Sequence, residues 1–165
     1  MTDIEVIAAL DDLATLALTA WAEARRIPRD DDSHSPIEEL VAVMVVVRNR
    51  RPHFASFRAA DDSYKSICLA PNQFSCWNPG TDANHLALLK MAHTLVDQSV
   101  IAVFSDPLLD ECLFLADGVI GGVLMDRTNG ATMYYAPAAM IPVGRVPASA
   151  MGKTTLKIGD QFFYG

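Results

Sequence analysis

The chain has 165 residues, 51% of them apolar and 20% charged, with a formal net charge of −7. That length fits one domain with a core of its own, and the composition is that of a folded protein. The acidic balance excludes bulk electrostatic attraction to nucleic acid or to an anionic membrane.

The first predicted helix runs from about Asp3 to Arg25. Thr2, with Glu5 three residues on, reads as a capping box. Ile4, Ile7, Ala8, Leu10, Leu13, Leu16, Ala17 and Ala20 form an apolar stripe at helical spacing, which the Asp11-Asp12 pair can interrupt. Glu23 lies three residues past Ala20 and shares that stripe near the helix end. Pro28 and residues 30–35 read as a polar loop. A second helix starts at Ser35 as N-cap, with Pro36 at N1 and Glu38 at N3, and runs to about Arg50. Val41 to Val47 is apolar nearly all round, which marks a central helix. Its β-branched content also suits a strand, but the cap and the length favour helix. Pro52 ends it.

Residues 52–83 read as irregular. A third helix is expected from Ala83 to Val103. A fourth, capped by Asp106 with Pro107 at N1, is expected to end near Asp117, before Gly118, Gly121 and Gly122. Thr132 to Tyr135 and Lys157 to Tyr164 are strand candidates that can pair as a ribbon. The expected fold is mainly α with a small β element, a single catalytic domain over residues 1–165.

No run reaches the ~18 uncharged apolar residues of a membrane span. Asp3, Glu5, Asp11 and Asp12 stand where a signal peptide would be basic or apolar. Cys68, Cys76 and Cys112 make no disulfide framework and are expected to be free thiols. Seven of the thirteen cationic residues fall between Arg25 and Arg58. They read as solvating helix ends and the Asp30-Asp31-Asp32 run, with a local rim for an anionic polymer as the alternative.

Two segments carry chemistry: Trp21-Ala22-Glu23-Ala24-Arg25 and Gln73-Phe74-Ser75-Cys76-Trp77-Asn78. One carboxylate facing an aromatic, amide-rich loop suits cleavage of a sugar polymer. An acid must protonate the leaving oxygen, and a glutamate desolvated at the negative end of a helix is disposed to hold its proton; pairing with Arg25 or Arg26 is the alternative. Gln73, Ser75 and Asn78 can hydrogen-bond acetamido and hydroxyl groups, and Phe74 and Trp77 either face sugar rings or pack under the loop. Tyr134 either brings its hydroxyl to the acid or fills the ribbon core. Asn49 and Arg50 read as capping the second helix and bracing the loop. His34, His53, His85 and His93 lack metal-ligand spacing, so neither metal nor cofactor is expected. Cys68 or Cys76 as an amidase nucleophile lacks an identifiable base.

At these residues the chain resembles the SleB/CwlJ-type cell-wall hydrolases. Trp21 to Arg25 is similar to that family's aromatic-x-Glu-Ala-Arg segment. Val41 to Arg50 is similar to its apolar helix ending in Asn-Arg, and Gln73 to Asn78 to its Gln-Phe-Ser-x-Trp-Asn loop. Asp126-x-Thr128-x-Gly130-Ala131-x-x-Tyr134 and Ile158-Gly159 to Tyr164 match its last two motifs. Arg26-Ile27-Pro28 departs from the usual Gly-Glu-Pro and removes a second glutamate; the following loop is longer, and Arg127 replaces a proline.

The resemblance implies a lysozyme-like, lytic-transglycosylase-like fold, with peptidoglycan glycan strands as partner and Glu23 as the catalytic acid. With no second carboxylate standing out, it favours a one-acid transglycosylase over a two-carboxylate hydrolase. The N-terminus suggests cytoplasmic accumulation and release through a holin-type hole, as for a phage or gene-transfer-agent endolysin acting in the periplasm or wall. Neither nucleic-acid binding nor membrane insertion is expected. A non-catalytic wall- or virion-binding module and a muramoyl-peptide amidase are the competing readings.

Overall fold

The computed structural model describes residues 1–25, 36–80, 84–97, 106–137 and 140–165. The expected Ser35 cap, the Asp30–Asp32 loop and the far end of the third helix lie outside them. The first expected helix is two. α1 (Asp3–Ala9) opens on the Thr2–Glu5 capping box and stops at Leu10, whose backbone is extended. Asp11 restarts the chain by accepting from the Ala14 N–H at 2.8 Å, and α2 spans Asp12–Arg25. The break lets Leu10 turn inward to 5% exposure. The Lys65 ammonium donates to the carbonyls of Ala8 and Leu10 that the break leaves without helical partners.

α2 is the buried axis of the molecule. Every residue from Thr15 to Glu23 is buried, a full wrap where the sequence pattern predicts a stripe. The two threonines in this stretch are satisfied along the helix: Thr15 Oγ1 donates to Asp11 O and Thr19 Oγ1 to Thr15 O, each at 2.7 Å. α3 (Pro36–Arg50) lies against α2, and its valine run is helical because it is buried on two faces. Leu40, Val43, Met44, Val45 and Val47 join the main core, while Ala42 and Val46 meet Ala131 and Phe163 of the sheet region.

After α3, Pro52 forces a 3₁₀ segment, Arg51–Phe57. A short helix, α4 (Tyr64–Leu69), follows, capped by Ser63. It occupies a stretch expected to be irregular; six residues are too few to show a period. α5 spans His85–Val96. α6 (Pro107–Ile120) starts at the Asp106 cap as predicted but continues through Gly118. That glycine is there for close packing rather than for breaking the helix, since a Cβ would lie 3.0 Å from Leu124 Cγ and Cδ1.

Three short strands complete the fold: β1 (Met133–Tyr135), β2 (Leu156–Ile158) and β3 (Gln161–Tyr164), in the order β1-β3-β2, all antiparallel. The segment expected as one strand from Lys157 to Tyr164 is therefore a hairpin, turning at Gly159-Asp160. The turn is pinned by α3, because buried Glu39 accepts from the Asp160 N–H. The result is a mainly helical domain with a small three-stranded sheet. Among the described residues no helix is long and apolar enough to cross a membrane.

Candidate active site

Glu23 is on the last turn of α2 and is 8% exposed. The helix end is fixed from two sides. The Trp21 indole donates to Asp106 Oδ2 at 3.2 Å, tying α2 to the cap of α6, and Asn84 Nδ2 donates to Ala22 O at 3.2 Å. Trp21 in the Trp-Ala-Glu segment is thus an anchor, 1% exposed. The Arg25 and Arg26 side chains fall outside the described set, and with them the alternative of an Arg–Glu23 pair.

Tyr134, in the middle of β1, donates its hydroxyl to Glu23 Oε2 at 3.0 Å. This bond joins α2 to the sheet, and it settles the Tyr134 hydroxyl beside the acid. Burial first, and then the neighbouring Glu23 charge, push the phenol well above its ordinary range against the pull of Arg50. Tyr134 therefore stays an O–H donor. Its ring leans on Phe163 at 5.6 Å and on Phe74 at 6.5 Å between centroids.

The 73–78 loop divides by burial. Phe74, Cys76 and Trp77 point inward, at 2%, 0% and 7% exposure, while Gln73, Ser75 and Asn78 are half-buried. The Trp77 indole donates to Thr19 Oγ1 on α2 at 2.9 Å, one turn before Glu23. Phe74 lies under the Arg50 guanidinium, 4.9 Å from its ring centroid. Neither ring presents an open face to a sugar; of the two readings, packing under the loop is the one found, because Thr19 and Arg50 give the rings inward partners. Asn78 turns back on the loop, its Nδ2 3.4 Å from Phe74 O. The Cys76 carbonyl accepts from His85 Nδ1 at 2.8 Å, which docks α5.

The C-terminal turn of α3 tethers the chain that leads into β1. Arg48 donates to Leu124 O at 2.9 Å. Asn49 Nδ2 reaches Asp126 Oδ2 and Ala131 O, each at 3.0 Å. Arg50 Nε donates to Thr132 O at 2.7 Å and its Nη1 to Gln73 Oε1 at 3.4 Å. Asp126 accepts from the Thr128 N–H and hydroxyl and from the Gly130 N–H, closing the turn. Partial burial raises the Asp126 pKa, but the bonds from Thr128, Asn49 and Gly130 outweigh it and hold the carboxyl below its ordinary range. Asp126 is thus committed to the turn. Arg50 is the residue that sequence reasoning placed as a brace without assigning it to the site; the Asn-Arg ending of an apolar helix was its only signal.

Competing chemistries find little support. Cys68, Cys76 and Cys112 are free and buried, and burial pushes Cys68 and Cys112 up to about 12. His85 serves the Cys76 carbonyl and His93 bonds Asp3. Among the described residues no three His, Cys, Asp or Glu side chains converge as a metal site. A separate groove of about 700 Å³ runs between α3, the 123–127 segment and β2. It is lined mostly by Val, Ile and Leu and does not include Glu23.

A mainly helical domain thus holds the buried Glu23 carboxyl group against a tyrosine hydroxyl. The Cell Wall Hydrolase family model matches residues 34–164, and the chain belongs to that family, whose substrate is peptidoglycan. The match takes in α3, the 73–78 loop, the Asp126 turn and the sheet, and it begins beyond Glu23. No curated protein and no solved structure matches the chain significantly.

Proposed function

We propose that this protein cleaves the peptidoglycan glycan strand between MurNAc and GlcNAc as a lytic transglycosylase, with Glu23 as the sole acid and base. The observation that carries the reading is the 3.0 Å bond from Tyr134 to buried Glu23. The two buried carboxylates among the described residues are Glu23 and Glu39. Glu39 holds the Asp160 turn, and the more exposed Asp126 holds its own, so neither is disposed to serve as a second catalytic acid.

In the proposed reaction Glu23 gives its proton to the glycosidic oxygen and the bond to MurNAc C1 breaks. The N-acetyl group and nearby dipoles support the oxocarbenium-like state. The Glu23 carboxylate, still holding the Tyr134 donor, then takes the proton of the MurNAc 6-hydroxyl. The freed oxygen closes on C1 as a 1,6-anhydro ring, and Glu23 is protonated again.

Mass spectrometry of peptidoglycan digested by wild type and by Glu23→Gln tests this. Expected are 1,6-anhydroMurNAc ends from wild type and none from the variant. Reducing MurNAc ends alone would replace transglycosylation by hydrolysis, and equal cleavage by the variant would remove Glu23 as the acid. Binding without products, or release of peptide-stem amines, would move the protein to the binding-module or amidase reading.

The proposed setting is bacterial lysis, as the endolysin of a phage or gene-transfer agent that reaches the wall through a holin. Induction with and without a holin checks it: lysis that does not depend on the holin counts against this setting.

A further inference from the structure

Arg50 ends α3 and is 3% exposed. Among the described residues no carboxylate forms a direct ion pair with it, although Glu23 acts on it through space. A buried cation is costly without strong partners, and those of Arg50 are particular. Its Nε takes Thr132 O, two residues before Tyr134, and its Nη1 takes Gln73 Oε1. Nη2 reaches Met133 Sδ at 3.5 Å, and the Phe57 and Phe74 rings lie 4.8 and 4.9 Å from the guanidinium carbon. A single side chain thus links the strand that delivers Tyr134 to the loop that carries Gln73.

A guanidinium has only donors. The Gln73 atom that faces it must therefore be the carbonyl oxygen, which turns the carboxamide N–H₂ the other way. That N–H₂ donates to Pro71 O at 3.5 Å, a contact about as long as the 3.4 Å one from Arg50, and Gln73 is half-buried. A carboxamide carries two N–H donors, so beside the Pro71 contact one is left for a ligand.

We infer that Arg50 is a positioning residue for substrate recognition: it locks the Gln73 carboxamide with its N–H₂ toward the substrate, as a donor to a carbonyl oxygen such as that of an N-acetyl group. The site thereby selects N-acetylated over N-deacetylated glycans. This inference rests on the proposed glycan cleavage.

Its test is a double-mutant cycle of wild type, Arg50→Lys, Gln73→Ala and the double variant. The substrates are soluble glycan strands in native form and after chemical N-deacetylation, with kcat and KM measured for each. Wild type is expected to prefer the native strands by roughly tenfold in KM, about the value of one hydrogen bond to a neutral group; a difference in kcat alone belongs to the N-acetyl group's part in the reaction. Arg50→Lys and Gln73→Ala should each lose that preference, and the double variant should lose no more than either one. A preference retained in Arg50→Lys, or losses that multiply, would overturn the inference and leave Arg50 a structural residue. If thermal melting shows Arg50→Lys unfolded, Gln73→Glu takes its place. It keeps the shape, pairs with Arg50 and exchanges the donor for an acceptor, so it should fold and lose the preference; intact preference overturns the inference. If wild type cleaves neither strand, the glycan-cleavage reading fails separately, and the same comparison is made on calorimetric affinities for the two strands.

Discussion

A tyrosine hydroxyl beside a carboxyl group can assist an acid or merely fill space. In the proposed reaction Tyr134 is the assisting group, since its hydroxyl donates to Glu23 Oε2. The bond strengthens as Glu23 gives up its proton, since a carboxylate accepts more strongly than an acid. Tyr134→Phe should therefore lower the cleavage rate roughly 10- to 100-fold and stability by only about 1 kcal/mol. Turnover on glycan strands beside a thermal melt checks both, and a fully active Tyr134→Phe would reduce the bond to packing. At this scale the sequence was informative where chemistry is local. A lone glutamate in an apolar stripe and an amide-rich loop stand out by residue type alone. The inward turn of Phe74 and Trp77 was not legible, because an aromatic loop reads the same whether its rings face sugar or core. Arg50 was legible as a brace for the loop, but its hold on the strand was not, since Thr132 lies 82 residues away.

α3 serves the site as a strut at both ends. Its last turn holds the 124–132 segment through Arg48, Asn49 and Arg50. Its first turns hold the β2–β3 hairpin through Glu39, and β3 in turn pairs with β1 in the register Tyr134↔Phe163. A side chain at Gly159 would have to displace Glu39. The Gly159 φ is +58°, and a Cβ would fall 1.8 Å from Glu39 Oε1. Gly152 offers the control, with φ +74° and nothing within 4 Å of the same added atom. Gly159→Ala should cost at least about 2 kcal/mol, from the left-handed backbone and the overlap together, and Gly152→Ala about 1 kcal/mol from backbone alone. Denaturant midpoints of the two variants check the difference; equal midpoints would mean that Glu39 swings clear. The helix starts at Thr2 and Asp106 were legible because caps are local signals. The break at Leu10 and the hairpin turn were not, since each depends on a distant partner, Lys65 in one case and Glu39 in the other.

At the scale of the whole molecule, the question is whether the site rests on one cooperative core. α2 contacts α3, α4, α5 and α6, and the main cluster draws buried residues from all of them. The three cysteines sample that cluster from different elements: Cys68 on α4, Cys76 in the loop under the site, and Cys112 on α6, each with no exposed surface. Alkylation requires an exposed thiolate. Burial denies access to all three, and it raises Cys68 and Cys112 to about 12, so near pH 8 the native thiolate is scarce at both. Iodoacetamide should leave the native protein unlabelled and active. With rising denaturant the three sites should become labelled together, at the midpoint seen by circular dichroism, because exposing any one of them opens the shared core. Peptide mapping by mass spectrometry reads each site separately. Early labelling of Cys76 alone would mean that the 73–78 loop detaches from Thr19 before the helices separate, making that loop a unit of lower stability than α2. Loss of activity on labelling the native protein would return a cysteine to the chemistry.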